Sequence, residues 1–444
     1  MGSHMMILMR AFGLFVRLPL LIALVLLILT LQAQSKLTST VEEGKVDPLP
    51  IAIVAFGGDE TAATISGVIA NDLGHSGYFA PMDPASYPEQ LTLEAQPAFP
   101  NWQQIGAKAL VVGSVVPEGG KIRVSFKLYD VNGSQMTIAS DVAASPKLAR
   151  RLAHRVADQI YKAITGYEGY FDTRVVFVDE TGGKGDRVKK LAIMDQDGFN
   201  PRNLPVSGNL LLTPRFNPSA NEVAYMSYDT GVPRVFIYNI DTNQKEVVGE
   251  FQNMSFAPRF SPDGNTIIMS LQSDDGNYSN IVEMNLQTRG TRQVTQGTSI
   301  NTAPCYSPDG SQIAFESDRG GTQQIYIMGA DGSNPTRISF GQGRYSTPVW
   351  SPDGKWIAFT KNNAGKFAIG VMKPDGSGER ILTEGFHNEG PTWAPNSHVV
   401  MFFRESGGES GGAQLFSVDV TGYNEQRIPT PNFGSDPAWS PRLN

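Results

Sequence analysis

Few side chains in this sequence are spaced for chemistry. Gly408-Glu-Ser-Gly-Gly412 carries the letters G-x-S-x-G, in which a sharp strand-to-helix turn would expose a serine hydroxyl to a base. Its flanks read as two strands with a Gly/Ser-rich connection, so a loop is expected there. Glu389 and Asp436 each sit just ahead of a repeated proline, and two carboxylates facing one channel could offer oxygen ligands to a hard cation. His387 lies beside Glu389, but no second His or Cys is near it in sequence, so a zinc-type centre lacks its ligands and a surface loop is expected. His75, His154 and His398 have no partner pattern either. Asp195-Gln-Asp197-Gly198 and Asp274-Asp275-Gly276 lack the spacing of a calcium loop and read as turns. No Walker or dinucleotide fingerprint is present. The one cysteine, Cys305, excludes a disulfide framework and reads as a buried, inert thiol in a strand.

The elements that would position these groups are repeats. Thr347-Pro-Val-Trp-Ser-Pro-Asp-Gly354 recurs as APRFSPDG from Ala257 and APCYSPDG from Ala303, and more loosely as TPRFNPSA from Thr213 and GPTWAPNS from Gly390. A last copy, Asp436-Pro-Ala-Trp-Ser-Pro441, ends the array. The second prolines fall at 218, 262, 308, 352, 395 and 441, spacings of 44, 46, 44, 43 and 46. A period in the forties with strand-like content predicts a β-propeller, one four-stranded blade per repeat. Ser-Pro-Asp-Gly is turn chemistry: the proline presets φ, the Ser and Asp side chains bond the turn, and Gly closes it. Residues 170–212 supply a second, third and fourth strand with no such phrase in front, and the orphan copy at 436–441 supplies the missing first strand. The expectation is a six-bladed ring closed by pairing of the C-terminal strand with the first blade, which leaves no open sheet edge.

In such a ring the segments entering each first strand surround the channel on one face. Taken as that mouth, the candidate partner-binding residues are Met254, Phe256, Ala257, Thr302, Ala303, Tyr345, Ser346, His387, Glu389, Ser435 and Asp436. They mix apolar anchors with polar groups that fix orientation, as a peptide- or protein-binding patch requires.

The 444 residues are 40% hydrophobic and 18% charged with a net charge of −7, a globular balance that does not point to nucleic acid. Residues 1–5 read as an expression tag. Residues 6–35 read as a signal peptide: Arg10 and Arg17, then the 14-residue apolar run Leu18–Leu31, then Gln32-Ala33-Gln34-Ser35. That run is short against the ~20 residues of a membrane-spanning helix. Residues 36–48 form a polar segment with weak β character, suited to a floppy terminus or to strand addition on a partner. Residues 49–166 read as a small α/β domain: strand Leu49–Phe56, helix Thr61–Ser76, strand Tyr78–Met82, short helix Trp102–Lys108, strands from Ala109, Lys121 and Gln135, and a helix capped by Ser145 with Pro146 at its first position. Residues 170–444 are the propeller.

This order of signal peptide, α/β domain and SPDG blades ending in PAWSP resembles the TolB family of Tol–Pal systems over essentially the whole mature chain. The resemblance implies a monomeric, periplasmic, non-enzymatic adaptor without cofactor or metal. It implies binding of the Pal lipoprotein across the propeller mouth, where colicin translocation peptides mimic Pal, with other outer-membrane proteins as further partners. It implies that the mature N-terminal segment, Ser35–Val46, engages TolA, with Lys36, Leu37, Thr38, Thr40 and Val41 as contact residues. The family's mouth positions carry over to Met254, Ala257 and Thr302; the family often has an acid where this chain has Ala303. The associated role is outer-membrane integrity and constriction at cell division. The alternative from fold alone is a secreted six-bladed lactonase or esterase with a channel metal, and a further one is a scaffold binding only peptidoglycan or outer-membrane proteins.

Overall fold

A computed structural model of the chain describes residues 47–443 apart from 184, 207–209, 230, 409 and 410. The tag, the signal peptide and Lys36–Val41 lie outside the described residues. No helix among the described residues is long and apolar enough to cross a membrane.

The first domain is a five-stranded sheet, ordered β2-β1-β3-β4-β5, from strands β1 (Leu49–Ile53), β2 (Phe79–Pro81), β3 (Ala109–Glu118), β4 (Lys121–Asp130) and β5 (Gln135–Ala144). Helices α1 (Glu60–His75) and α3 (Ala149–Thr165) bury Ile65, Ile69, Leu73, Leu152, Val156 and Ile160 against one sheet face. The Asp59 carboxylate accepts from Thr61 N at the start of α1, and Gly166 ends α3 in the left-handed conformation. Two sequence expectations shift here. Ser145 makes no side-chain cap; the backbone bond from Leu148 N to Ser145 O closes a 3₁₀ turn at Pro146–Leu148 before α3 begins. The short helix α2 spans Phe99–Gln104 rather than Trp102–Lys108, with Pro100 in its first turn and Gly106, at φ 83°, beyond its end. Trp102 of α2 is fully buried on the second sheet face.

The propeller follows as six four-stranded antiparallel sheets. Its inner strands are β9 (Leu211–Phe216), β13 (Ser255–Phe260), β17 (Asn301–Tyr306), β21 (Arg344–Trp350), β25 (His387–Trp393) and β29 (Phe433–Trp439). The last of these, β29, pairs antiparallel with β6 (Arg174–Thr181), so the sixth blade joins the two ends of the propeller chain. The repeated turn works as its residue types demand. Ser351 Oγ donates to Asp353 Oδ1 at 2.7 Å and accepts from Trp356 N at 3.0 Å, while Gly354 takes φ 73°. In the copy at 307–310, hydrogen bonds from the Ser307 hydroxyl and from Ser311 hold the Asp309 carboxyl down at about 2. The second strands place Phe177, Tyr225, Met269, Phe315, Phe359 and Phe402 at equivalent positions, all fully buried. Large apolar side chains at that depth in every blade form the packing layer of the ring.

Candidate functional site

The segments expected to be loops at the mouth are strand. In all six blades the inner strand runs through them, and its register against the second strand slips near the repeated proline. The residue ahead of each proline is left-handed: Thr213 at φ 49°, Ala257 at 50°, Ala303 at 50°, Thr347 at 48°, Gly390 at 64° and Asp436 at 49°. A left-handed L-residue costs roughly 1 kcal/mol, so five non-glycine cases make this a built feature rather than a local accident. A bulge adds one residue and re-aims the side chains on either side of it. Two sets of equivalent positions result. Phe256, Thr302, Ser346, Glu389 and Ser435 lie on the mouth side of the bulge, and Arg215, Arg259, Cys305, Val349, Thr392 and Ala438 lie on the far side, where they line the channel.

The sequence-derived residues separate in the structure. Met254, Phe256, Ala257, Thr302, Ala303 and Ser346 are partly exposed, and Thr302 Oγ1 accepts from Ser270 Oγ of the preceding blade at 3.1 Å. His387 is partly exposed; its ring stacks on Phe367 at 4.5 Å and Nε2 lies 3.0 Å from Glu389 Oε2. Tyr345 must be corrected: it is fully buried, packs against Phe359 at 5.2 Å and donates to Glu379 at 2.8 Å, so it is a core residue and no surface anchor. Its position one residue before Ser346 points it to the other face of the strand. Ser435 is also buried and donates to Glu180. The Asp436 carboxylate faces Thr213 N across the blade junction at 3.5 Å; burial raises its pKa, against the pull of Arg215 and Lys189.

The structure adds two features to this candidate set. Glu316, on the second strand opposite Thr302, is 3% exposed; burial lifts its carboxyl to about 7, with Glu389 and Asp318 adding to the rise, and Thr347 N donates to it at 3.4 Å. A glutamate directly after the apolar run Ile313–Phe315, still within the expected second strand, was the available signal. Around the mouth, on segments leading into three successive inner strands, Ile300, Phe340 and Phe386 are 42%, 71% and 68% exposed. Exposed apolar side chains and partly exposed polar groups on one face have the composition found at protein-binding surfaces.

The α/β domain packs on part of the opposite, turn face, against the blade of His387–Trp393 and the blade that joins the two ends of the propeller chain. Arg150 reaches Asp195 Oδ2 at 3.2 Å and Asp197 Oδ2 at 2.6 Å, at the end of a third strand. His154 Nδ1 lies 2.7 Å from Asp72 Oδ2, and Gln196 donates to Asp72 Oδ1 at 3.1 Å. Burial raises Asp72 and His154 opposes; burial lowers His154, but Asp72, Asp197 and Asp195 together outweigh it and hold the ring's pKa up. The pair is thus a buried, hydrogen-bonded contact inside the joint. Tyr167 packs on His398 at 3.9 Å, and Tyr170 on Trp439 at 5.7 Å. Among the described residues, only His154, Asp195 and Asp197 bring three metal-competent atoms within 4.8 Å of one another, and Arg150 already occupies both carboxylates. Glu316, Glu389 and Asp436 form no such group, so the channel carboxylates do not assemble a ligand set among the described residues. The G-x-S-x-G letters fall between two strands of one blade, with residues 409 and 410 outside the described set.

The TolB beta propeller domain model matches residues 161–443 and the TolB amino-terminal domain model residues 37–137. The crystal structure of TolB from Acinetobacter baumannii is similar at 28% identity and a TM-score of 0.82, covering 90% of this chain and 99% of that one. A putative TolB from Agrobacterium tumefaciens matches at 21% identity and a TM-score of 0.47, over 60% of this chain and 91% of that one. Hydrazine synthase of Kuenenia stuttgartiensis matches at 14% and 0.49, over 61% of this chain and 48% of that one.

Proposed function

Because the chain belongs to the TolB family, whose members are non-enzymatic periplasmic components of the Tol–Pal system, we propose that it is an envelope adaptor with two partners. The propeller mouth holds the Pal lipoprotein, and the segment Ser35–Val46 holds TolA after export with a cleaved signal peptide. Competing ligands of the mouth would be colicin translocation peptides and other outer-membrane proteins. The role that follows is support of outer-membrane integrity and of constriction at cell division.

The observation that carries this reading is the apolar rim of Ile300, Phe340 and Phe386 around a bulged, partly polar centre at Phe256, Thr302 and Glu389. Large apolar groups at the edge and oriented polar groups within suit a folded partner or an inserted peptide better than a small substrate. The α/β domain packs on part of the other face and, among the described residues, makes no contact with this rim. A hydrolase reading finds less support, since the channel carboxylates do not converge.

The test is calorimetric titration of the mature chain with the soluble domain of Pal, beside a Thr302→Arg variant. Saturable binding is expected, weakened at least thirtyfold in the variant, as for about 2 kcal/mol lost at an interface centre. Binding that the variant leaves untouched would move the site off the mouth, and no binding by either folded protein would overturn the Pal assignment.

A further inference from the structure

Beyond the bulge, the channel changes character. The residue after the repeated proline is Arg215, Arg259, Cys305, Val349, Thr392 or Ala438 in the six blades, so this level holds two guanidinium groups and no carboxylate. These residues line a cavity of about 320 Å³ that opens toward the Ser-Pro-Asp-Gly turns. Neither arginine has an ion-pair partner among the described residues. Arg215 donates to Pro214 O at 2.6 Å, and its Nε is buried without an acceptor. Trp350, 7% exposed in the same wall, has its indole N–H buried and unpartnered. The two tryptophans at the equivalent position of other blades are satisfied: Trp393 donates to Val349 O at 2.9 Å and Trp439 to Thr173 Oγ1 at 2.8 Å.

Buried donors are ordinarily paired, and an unpaired one is costly. Here two cations share one cavity wall, and two N–H groups buried behind it, Arg215 Nε and the Trp350 indole, lack acceptors. Burial lowers the pKa of both arginines, and their mutual repulsion adds to it at Arg215, which is pulled down to about 9. Asp436 acts on Arg215 from beyond the bulge but is engaged at Thr213 N. The lining lacks acceptors of negative charge, and the guanidinium fork matches two oxygens of one oxyanion. Water alone would fill the space with roughly ten molecules, at ~30 Å³ each, but would leave the charge uncompensated.

We propose that Arg215 and Arg259 form a binding site for a small oxyanion at the turn end of the channel. The group bound is a phosphate or a carboxylate, free or carried on a larger molecule that reaches the cavity from the turn face. The site is separate from the mouth and does not depend on the reading given to it.

The experiment uses the mature protein and its Arg215→Met/Arg259→Met double variant. Thermal unfolding and calorimetric titration are run with sodium phosphate and, separately, sodium acetate, each against sodium chloride of equal ionic strength. One equivalent of phosphate or acetate is expected to bind the parent. At a hundredfold excess over Kd the folded-to-unfolded ratio should rise about a hundredfold. The double variant should show neither effect, while unfolding at a higher temperature than the parent in chloride, because its buried charges are gone. Binding of phosphate alone identifies a phosphoryl ligand, and binding of acetate alone a carboxylate; either supports the site. Should the double variant not fold, Arg259→Gln replaces it and should weaken binding at least tenfold. Identical responses of parent and variant, or no binding of either anion to the parent, would overturn the proposal.

Discussion

The two faces of the propeller are made from the same repeated strands and turns, yet they end in opposite states. Where the α/β domain packs on the turn face, charged groups are matched: Arg150 with Asp195 and Asp197, Arg151 with Asp172, His154 with Asp72, with aromatic packing of Tyr167 on His398. On the mouth face, Ile300, Phe340 and Phe386 remain exposed, and Glu316 is buried without a cation. Fold symmetry therefore does not decide which face is interactive. What distinguishes them is the α/β domain, which packs on part of one face and leaves the other to outside partners.

Three further measurements would break or sharpen that contrast. The largest effect is expected where the α/β domain packs. His154→Ala leaves Asp72 fully buried without its partner, a situation that costs about 3–5 kcal/mol. Urea unfolding should show that loss, and a split into two transitions would indicate that the joint couples the domains. Next comes Glu316 at the open face. Its folded-state pKa of about 7 stands above the ordinary 4.5, so the folded chain holds the proton more tightly than the unfolded chain. Stability from this group is complete below about pH 4.5 and falls as pH rises to about 7. Glu316→Gln should therefore match the parent at pH 4 and exceed it at pH 8 by about 3 kcal/mol, read from thermal unfolding. The smallest change in stability is expected at the rim. Phe340→Ala with Phe386→Ala should alter unfolding by no more than about 0.5 kcal/mol, while weakening Pal binding by roughly thirtyfold if these rings are anchors. A rim variant that binds normally would leave the contrast between the faces without functional meaning.

The architecture was legible because its signals are local. Ser-Pro-Asp-Gly specifies a turn by the chemistry of four adjacent residues, and its spacing counts the blades. The orphan phrase at 436–441 likewise predicts the pairing with Arg174–Thr181 that the structure contains. The site was legible only in outline. Ser346 and Tyr345 are neighbours, but strand alternation sends one toward the mouth and the other into the core, and a segment taken for a loop gives no such alternation. Glu316 becomes part of the mouth through register with Thr302, which no linear pattern displays. The pair of Asp72 and His154 joins two helices and meets Gln196 of a distant blade, so it exists only once both domains are packed.

The seam between the first and last propeller strands has a consequence for the order of events in the life of the chain. Trp439 reaches Thr173 across 266 residues of sequence, and the whole of β29 is made after every other blade. Until it arrives, the edge Val175–Val178, apolar and fully buried in the finished ring, has no inner partner. Such long-range closure is slow and leaves a sticky strand waiting. A chain that crosses a membrane unfolded would emerge with that edge first and its cover last, so the interval between the two is when it most needs protection from other chains.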